Sequence, residues 1–108
     1  RLLIISPHCD DETLGAGGIT SMARRQNIPV HVVFVTNGDG SRSTQIGEDV
    51  KKLRRNSFLE LAKMRQQEVI AALRELGVGP EEITFFGYPD GGTQAMWQRH
   101  WNAAHPYK

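Results

Sequence analysis

The sequence predicts an α/β protein built on an open parallel sheet, and three observations carry that expectation. Short apolar runs rich in β-branched residues recur at residues 2–5 (LLII), 30–35 (VHVVFV) and 83–86 (ITFF), as expected of strands packed against neighbouring structure. Stretches of helix length separate them, so the connections suit crossovers rather than hairpins. Each run also ends in a polar, glycine-bearing segment: SPHCDD, TNGDGSR and GYPDGG. With right-handed crossovers all three segments reach the same edge of the sheet, where open parallel sheets bind ligands.

Taken in order, LLII reads as a strand buried on both faces. DETLGAGGITSMARRQN follows as a helix, with Leu14, Met22, Ala23 and small residues on its inner side. Glycines 15, 17 and 18 cost helix propensity, and close approach to the sheet is the expected reward. Asp10, Asp11 and Glu12 then sit at the helix N-terminus, where the dipole favours negative charge. After VHVVFV, residues 37–56 are polar. NGDGSRSTQIG reads as a turn-rich loop and EDVKKLRRN as a short helical turn. Ser57-Phe58-Leu59-Glu60 has capping-box spacing and opens a second helix. Leu61, Val69, Leu73 and Leu76 form its buried stripe, and Gly77 ends it. ITFF is the third strand.

At 108 residues the chain is one domain or part of one. Apolar residues make up 39% of it, enough for a folded core. A net charge of +1 favours neither nucleic acid nor an anionic membrane. The single cysteine, Cys9, excludes an internal disulfide and fits a reducing compartment. No apolar run approaches the roughly 20 residues of a membrane span, and no signal peptide is visible. A cytoplasmic protein is the expectation. The start at Arg1 and the end at HPYK suggest an excised piece.

His8, Asp10 and Asp11 place an imidazole and two carboxylates within four positions. A mixed nitrogen and oxygen set suits zinc, whereas an all-oxygen set points to magnesium or calcium. Adjacent aspartates point different ways, so one can ligate a metal while the other stays free as a base. A helix-capping carboxylate beside a surface histidine explains the same residues equally well. Cys9 precedes a helix N-terminus, but its acidic neighbours disfavour a thiolate, and a small half-buried filler is the better reading. GAGG is not a dinucleotide-binding turn, because its glycines lie inside the helix and three carboxylates occupy the turn itself. TNGDG, with Arg42 after it, and PDGG read as turns that become site walls by location. Arg65 either reaches that edge or lies on a solvated helix face, and Lys51–Arg55 reads as a solvated patch. His31, at the far end of its strand, is structural. His100 and His105, near Trp97 and Trp101, receive no role.

SPHCDDETLGAGG resembles the signature of the LmbE-like (PIG-L) N-acetylglucosaminyl deacetylases, PHPDDE followed by a glycine-rich helix. VTNGDGSR, LAKMRQQEVIAALRELG and FFGYPDGG resemble that family's later segments, in its order. The resemblance spans residues 2–92. It implies a Rossmann-like open parallel sheet with helices on both faces, incomplete at the C-terminus. Residues 1–108 would then be the N-terminal part of a single deacetylase domain. It also implies zinc-dependent hydrolysis of an acetamide on an N-acetyl amino sugar or its conjugate, with another divalent metal as the alternative cofactor. On the matched motif, His8 and Asp11 would be metal ligands and Asp10 the general base, while Arg65 and Asp90 would hold the sugar. Cys9 stands where the family has proline, which removes no ligand. The family's third ligand comes from a downstream histidine motif that this sequence lacks, so it is expected beyond residue 108. The rivals are an inactive or sugar-binding module and a magnesium-dependent phosphate hydrolase, against which His8 speaks. An exposed sheet edge would favour homo-oligomers.

Overall fold

A computed structural model describes residues 1–40, 55–100, 102 and 104–106. Arg42, Trp101 and residues 48–54, which hold most of the proposed helical turn (48–56) and basic patch (51–55), lie outside the described residues, while 55 and 56 belong to α2. The described chain runs β1 (Leu2–Ser6), α1 (Asp11–Arg25), β2 (Val30–Thr36), α2 (Arg55–Glu75), β3 (Ile83–Tyr88) and α3 (Thr93–Arg99). The three strands are parallel in the order β1-β2-β3. Leu2 pairs with Val30 and Ser6 with Phe34, while Val32 pairs with Ile83 and Phe34 with Phe85.

Each crossover advances one strand in the same direction, so right-handed connections put α1 and α2 on one face. The core forms there. Ile4, Val32 and Phe34 meet Ala23 of α1 and Val69 and Leu73 of α2, and the Phe34 and Phe85 rings stack 5.0 Å apart. The other face is only partly covered: Val35 and Tyr88 adjoin Met96 and Trp97 of α3 around a hollow of about 310 Å³. Helices therefore flank both faces, but Leu3 and Ile5 remain 59% and 65% exposed. β1 is thus covered on one face, not on both as its apolar run implied. His31 lies among the alternate β2 positions that face away from the core, and its Nε2 is 2.9 Å from Thr84 Oγ1. That is the structural role expected of it.

The inner faces of the helices differ from the expected ones. Glu12, Ala16, Thr20 and Ala23 turn α1 toward the sheet, whereas Leu14 is 85% exposed and Met22 also faces out. Small size decides this face, because it lets a helix lie close on a sheet, and Thr20 satisfies its hydroxyl on the Ala16 carbonyl at 2.8 Å. The glycines are not the cause. A Cβ at Gly15 or Gly18 would meet nothing within 4 Å. In α2 the buried stripe is Ala62, Val69 and Leu73, with Leu76 packed at its end, so Ala62 takes the place expected of Leu61. α2 already includes Arg55, so it does not begin at Ser57. Gly77, at φ +81°, follows the helix end as expected.

Candidate metal and catalytic site

The three strand-end segments are tied into one edge by polar contacts. Thr36 donates both its N–H and its hydroxyl to the Pro7 carbonyl, each at 3.0 Å, which joins the ends of β1 and β2. Gln66 of α2 donates to Asn37 Oδ1 at 2.8 Å. The Asp90 N–H donates to Asp39 Oδ1 at 3.4 Å, bringing in the segment after β3. Two glycines make this closeness workable. Gly38 has φ +65° and lies where a Cβ would stand 3.0 Å from the Arg65 guanidinium carbon. A Cβ on Gly40 would stand 3.1 Å from an Asp90 carboxylate oxygen.

His8 occupies the middle of this edge. Its Nδ1 faces Asp11 Oδ2 at 3.1 Å, and its Nε2 faces Asp90 Oδ1 at 3.3 Å. Asp11 Oδ2 also accepts the His8 backbone N–H at 3.2 Å, and Ser6 holds the His8 carbonyl at 2.7 Å. Asp10 precedes the first turn of α1 but makes no capping bond with its side chain. Its carboxylate, 57% exposed, instead meets Arg65 Nη2 at 3.3 Å. That removes the helix-cap explanation for Asp10. The capping work falls to Glu12, only 2% exposed, whose Oε2 accepts the Asp10 N–H at 2.9 Å and whose Oε1 accepts the Thr13 hydroxyl at 2.7 Å. Both oxygens are thus engaged within the turn.

Arg65 crosses from α2 to donate to the Cys9 carbonyl at 2.7 Å as well as to Asp10. With its side chain 16% exposed, it does not lie on a solvated face. A groove of about 460 Å³ opens on the Asp10 side between α1 and α2, past Leu14, Met64 and Glu68, without reaching His8, Asp11 or Asp90. Cys9 itself is buried in the core, more fully than a half-buried filler. Burial pushes its thiol up to about 11; Arg65 opposes this, and the carboxylates of Glu12, Asp10 and Asp39 add to it. A thiol so placed is no nucleophile at neutral pH.

Donors about 2.0–2.1 Å from a tetrahedral zinc stand about 3.3 Å apart. The 3.1 Å between His8 Nδ1 and Asp11 Oδ2 fits one such edge. Asp90 lies across the ring, against the other nitrogen. Among the described residues no three His, Cys, Asp or Glu side chains close on one point, so the fit extends to two donors. Of the residues singled out from the sequence, the structure brings His8, Asp11 and Asp90 together and, as a second pair, Asp10 and Arg65. It missed Glu12 as a structural partner of Asp10; the adjacent Asp10 at a helix start was the available signal.

The fold and site define an α/β protein with a polar cluster at the carboxyl edge of an open parallel sheet, a histidine between two carboxylates and a further carboxylate left exposed. The chain belongs to the PIG-L family, described as GlcNAc-PI de-N-acetylase, whose pattern matches residues 3–105. It is 39% identical over 79 residues to 1D-myo-inositol 2-acetamido-2-deoxy-alpha-D-glucopyranoside deacetylase of Mycobacterium avium, an alignment covering 73% of this chain and 26% of that protein. Among solved structures it resembles N,N'-diacetylchitobiose deacetylase of Pyrococcus horikoshii, with a TM-score of 0.66 and 29% identity over 82% of this chain and 29% of that one. It also resembles 4-carboxy-2-hydroxymuconate hydratase of Pseudomonas putida KT2440, with a TM-score of 0.67 and 25% identity over 82% of this chain and 34% of that one. The chain thus spans about a quarter to a third of the length of these proteins. Among the described residues no helix is long and apolar enough to cross a membrane.

Proposed function

We propose that the protein removes the acetyl group from the nitrogen of an N-acetylglucosamine-type amide by metal-assisted hydrolysis. The observation that carries this reading is the exposed Asp10 carboxylate, relieved of capping and next in sequence to Asp11 of the His8–Asp11 pair. The similarity to two deacetylases of N-acetylated amino sugars supports the substrate class.

His8 and Asp11 would hold the metal, with zinc the first choice for a nitrogen and oxygen pair. A bound zinc ion supplies a Lewis acid for the amide carbonyl and lowers the pKa of water to about 7. Asp10 takes the proton from the attacking water as its oxygen bonds to the carbonyl carbon. It returns that proton to the nitrogen as the C–N bond breaks, releasing the amine and acetic acid, which gives up its own proton to water as acetate. Asp90 accepts hydrogen bonds from sugar hydroxyls, and Arg65 lines the same edge beside Asp10. A cytoplasmic setting suits the lone thiol.

Two other readings rest on specific observations. The two-donor metal pair favours a sugar-binding module without turnover. Similarity to the hydratase favours water addition to an unsaturated acid on the same scaffold. Metal analysis and acetate release from N-acetylglucosamine conjugates separate all three. Asp10→Asn should lower kcat by about 10²–10⁴-fold with metal content kept, and Asp11→Asn should lose both. Equal metal loss in the two variants would contradict the assigned roles, and activity on an unsaturated acid without acetate release would replace the deacetylase reading.

A further inference from the structure

The backbone at Asp10 has φ +150° and ψ −31°, outside the regions that L-residues ordinarily occupy. Such a geometry persists only where its surroundings over-determine it. The peptide linking Cys9 to Asp10 is gripped at both polar ends. Glu12, buried beneath the turn, accepts the N–H of that peptide at 2.9 Å. Arg65, from 56 residues beyond Cys9, donates to its carbonyl at 2.7 Å. The charges match the ends they hold, an anion at the N–H and a cation at the carbonyl. The Asp10 carbonyl in turn accepts the N–H groups of Thr13 at 3.1 Å and Leu14 at 3.0 Å. Helix capping accounts for Glu12 alone. It does not account for a guanidinium from another element seated against Gly38 and closing the other end of the same peptide.

We propose that Glu12 and Arg65 are paired positioning residues, which clamp the Cys9–Asp10 peptide and thereby aim the Asp10 carboxylate; the catalytic part of this rests on Asp10 being the base. Arg65 thus acts on the reaction through Asp10. A displacement of about 1 Å in such a group costs about 10²-fold in rate, and the loss falls on kcat.

The test uses the full chain with Glu12→Ala, Glu12→Gln, Arg65→Met and Arg65→Lys. It reads kcat and KM for acetate release, metal per chain, and the alkylation rate of the buried Cys9 thiol. The expected result is a fall in kcat of about 10²-fold in Glu12→Ala and Arg65→Met, with KM within about threefold, metal retained and faster Cys9 alkylation. Glu12→Gln and Arg65→Lys, which keep an acceptor and a cation, should recover part of the loss and guard against a Glu12→Ala chain that does not fold. A rise in KM at constant kcat in Arg65→Met makes that residue a substrate binder and overturns the pairing. Metal loss parallel to the loss of kcat in the Glu12 variants overturns it too. If the unaltered chain releases no acetate, the deacetylase reading fails, and the clamp stands or falls on the thiol: faster alkylation in both residues' variants sustains it, and an unchanged rate overturns it.

Discussion

Replacing Gly38 with alanine probes how firmly the strand-end segments are locked, and its cost divides into two parts. The first is local. At φ +65° an L-residue costs about 1–2 kcal/mol more than glycine. The second is transmitted. The new Cβ would stand 3.0 Å from the Arg65 guanidinium carbon and 3.1 Å from its Nε, so the guanidinium must retreat by a few tenths of an ångström. That stretches the 2.7 Å bond to the Cys9 carbonyl, one of a charged class worth about 1.5–3 kcal/mol when lost outright. Partial loss puts the transmitted part at about 1 kcal/mol, and the total at about 2–3 kcal/mol. Urea denaturation of the wild type, Gly38→Ala, Arg65→Met and the double variant isolates it as a coupling energy. Gly38→Ala should cost about 1 kcal/mol less when Arg65 is already gone. Strict additivity would refute the contact between Gly38 and the guanidinium, and with it the seating of Arg65 over the turn.

Other outcomes follow from the same coordinates. Asp10→Gly should be more stable than Asp10→Ala by about 1–3 kcal/mol, because glycine alone accepts φ +150° without strain; equal denaturation midpoints would remove the strain. Leu73→Ala, at a fully buried position between α2 and the sheet, should cost about 2–5 kcal/mol by chemical denaturation, and a cost below 1 kcal/mol would displace Leu73 from the core. The Cys9 thiol is raised from 9.0 to about 11 by burial, so the folded chain binds a proton that the unfolded chain releases between those values. Its contribution is complete below the unfolded value and is lost as pH rises through about 11. The wild type should therefore lose stability relative to Cys9→Ala between about pH 9 and about pH 11; a parallel change in the two proteins would place the thiol in water.

The strands were readable because their signal is local. Largely apolar runs at 2–5, 30–35 and 83–86 have no comfortable place except in a sheet, and the observed strands extend each by one or two residues. Chirality did the rest: once the connections are crossovers, their handedness sends the segments bearing His8, Asp39 and Asp90 to one edge, and these residues meet there. The inward face of α1 was not readable. Hydrophobicity pointed to Leu14 and Met22 beside Ala23, but the sheet accepts a helix by its small residues, and Ala16 and Thr20 join Ala23 there instead. The exposed face of β1 escaped for a related reason, since apolar composition does not say which side a neighbour will cover.

The amino-acid sequence by itself determined that an imidazole and a run of acids follow a buried strand and begin a helix. Three dimensions decided how those acids divide their work. Asp11 turns to His8, Glu12 turns inward to a backbone N–H, and Asp10 is left exposed under the hand of Arg65. Adjacent residues of one charge look alike along a chain. They become different only when fixed partners, one of them 55 residues away, set the direction of each.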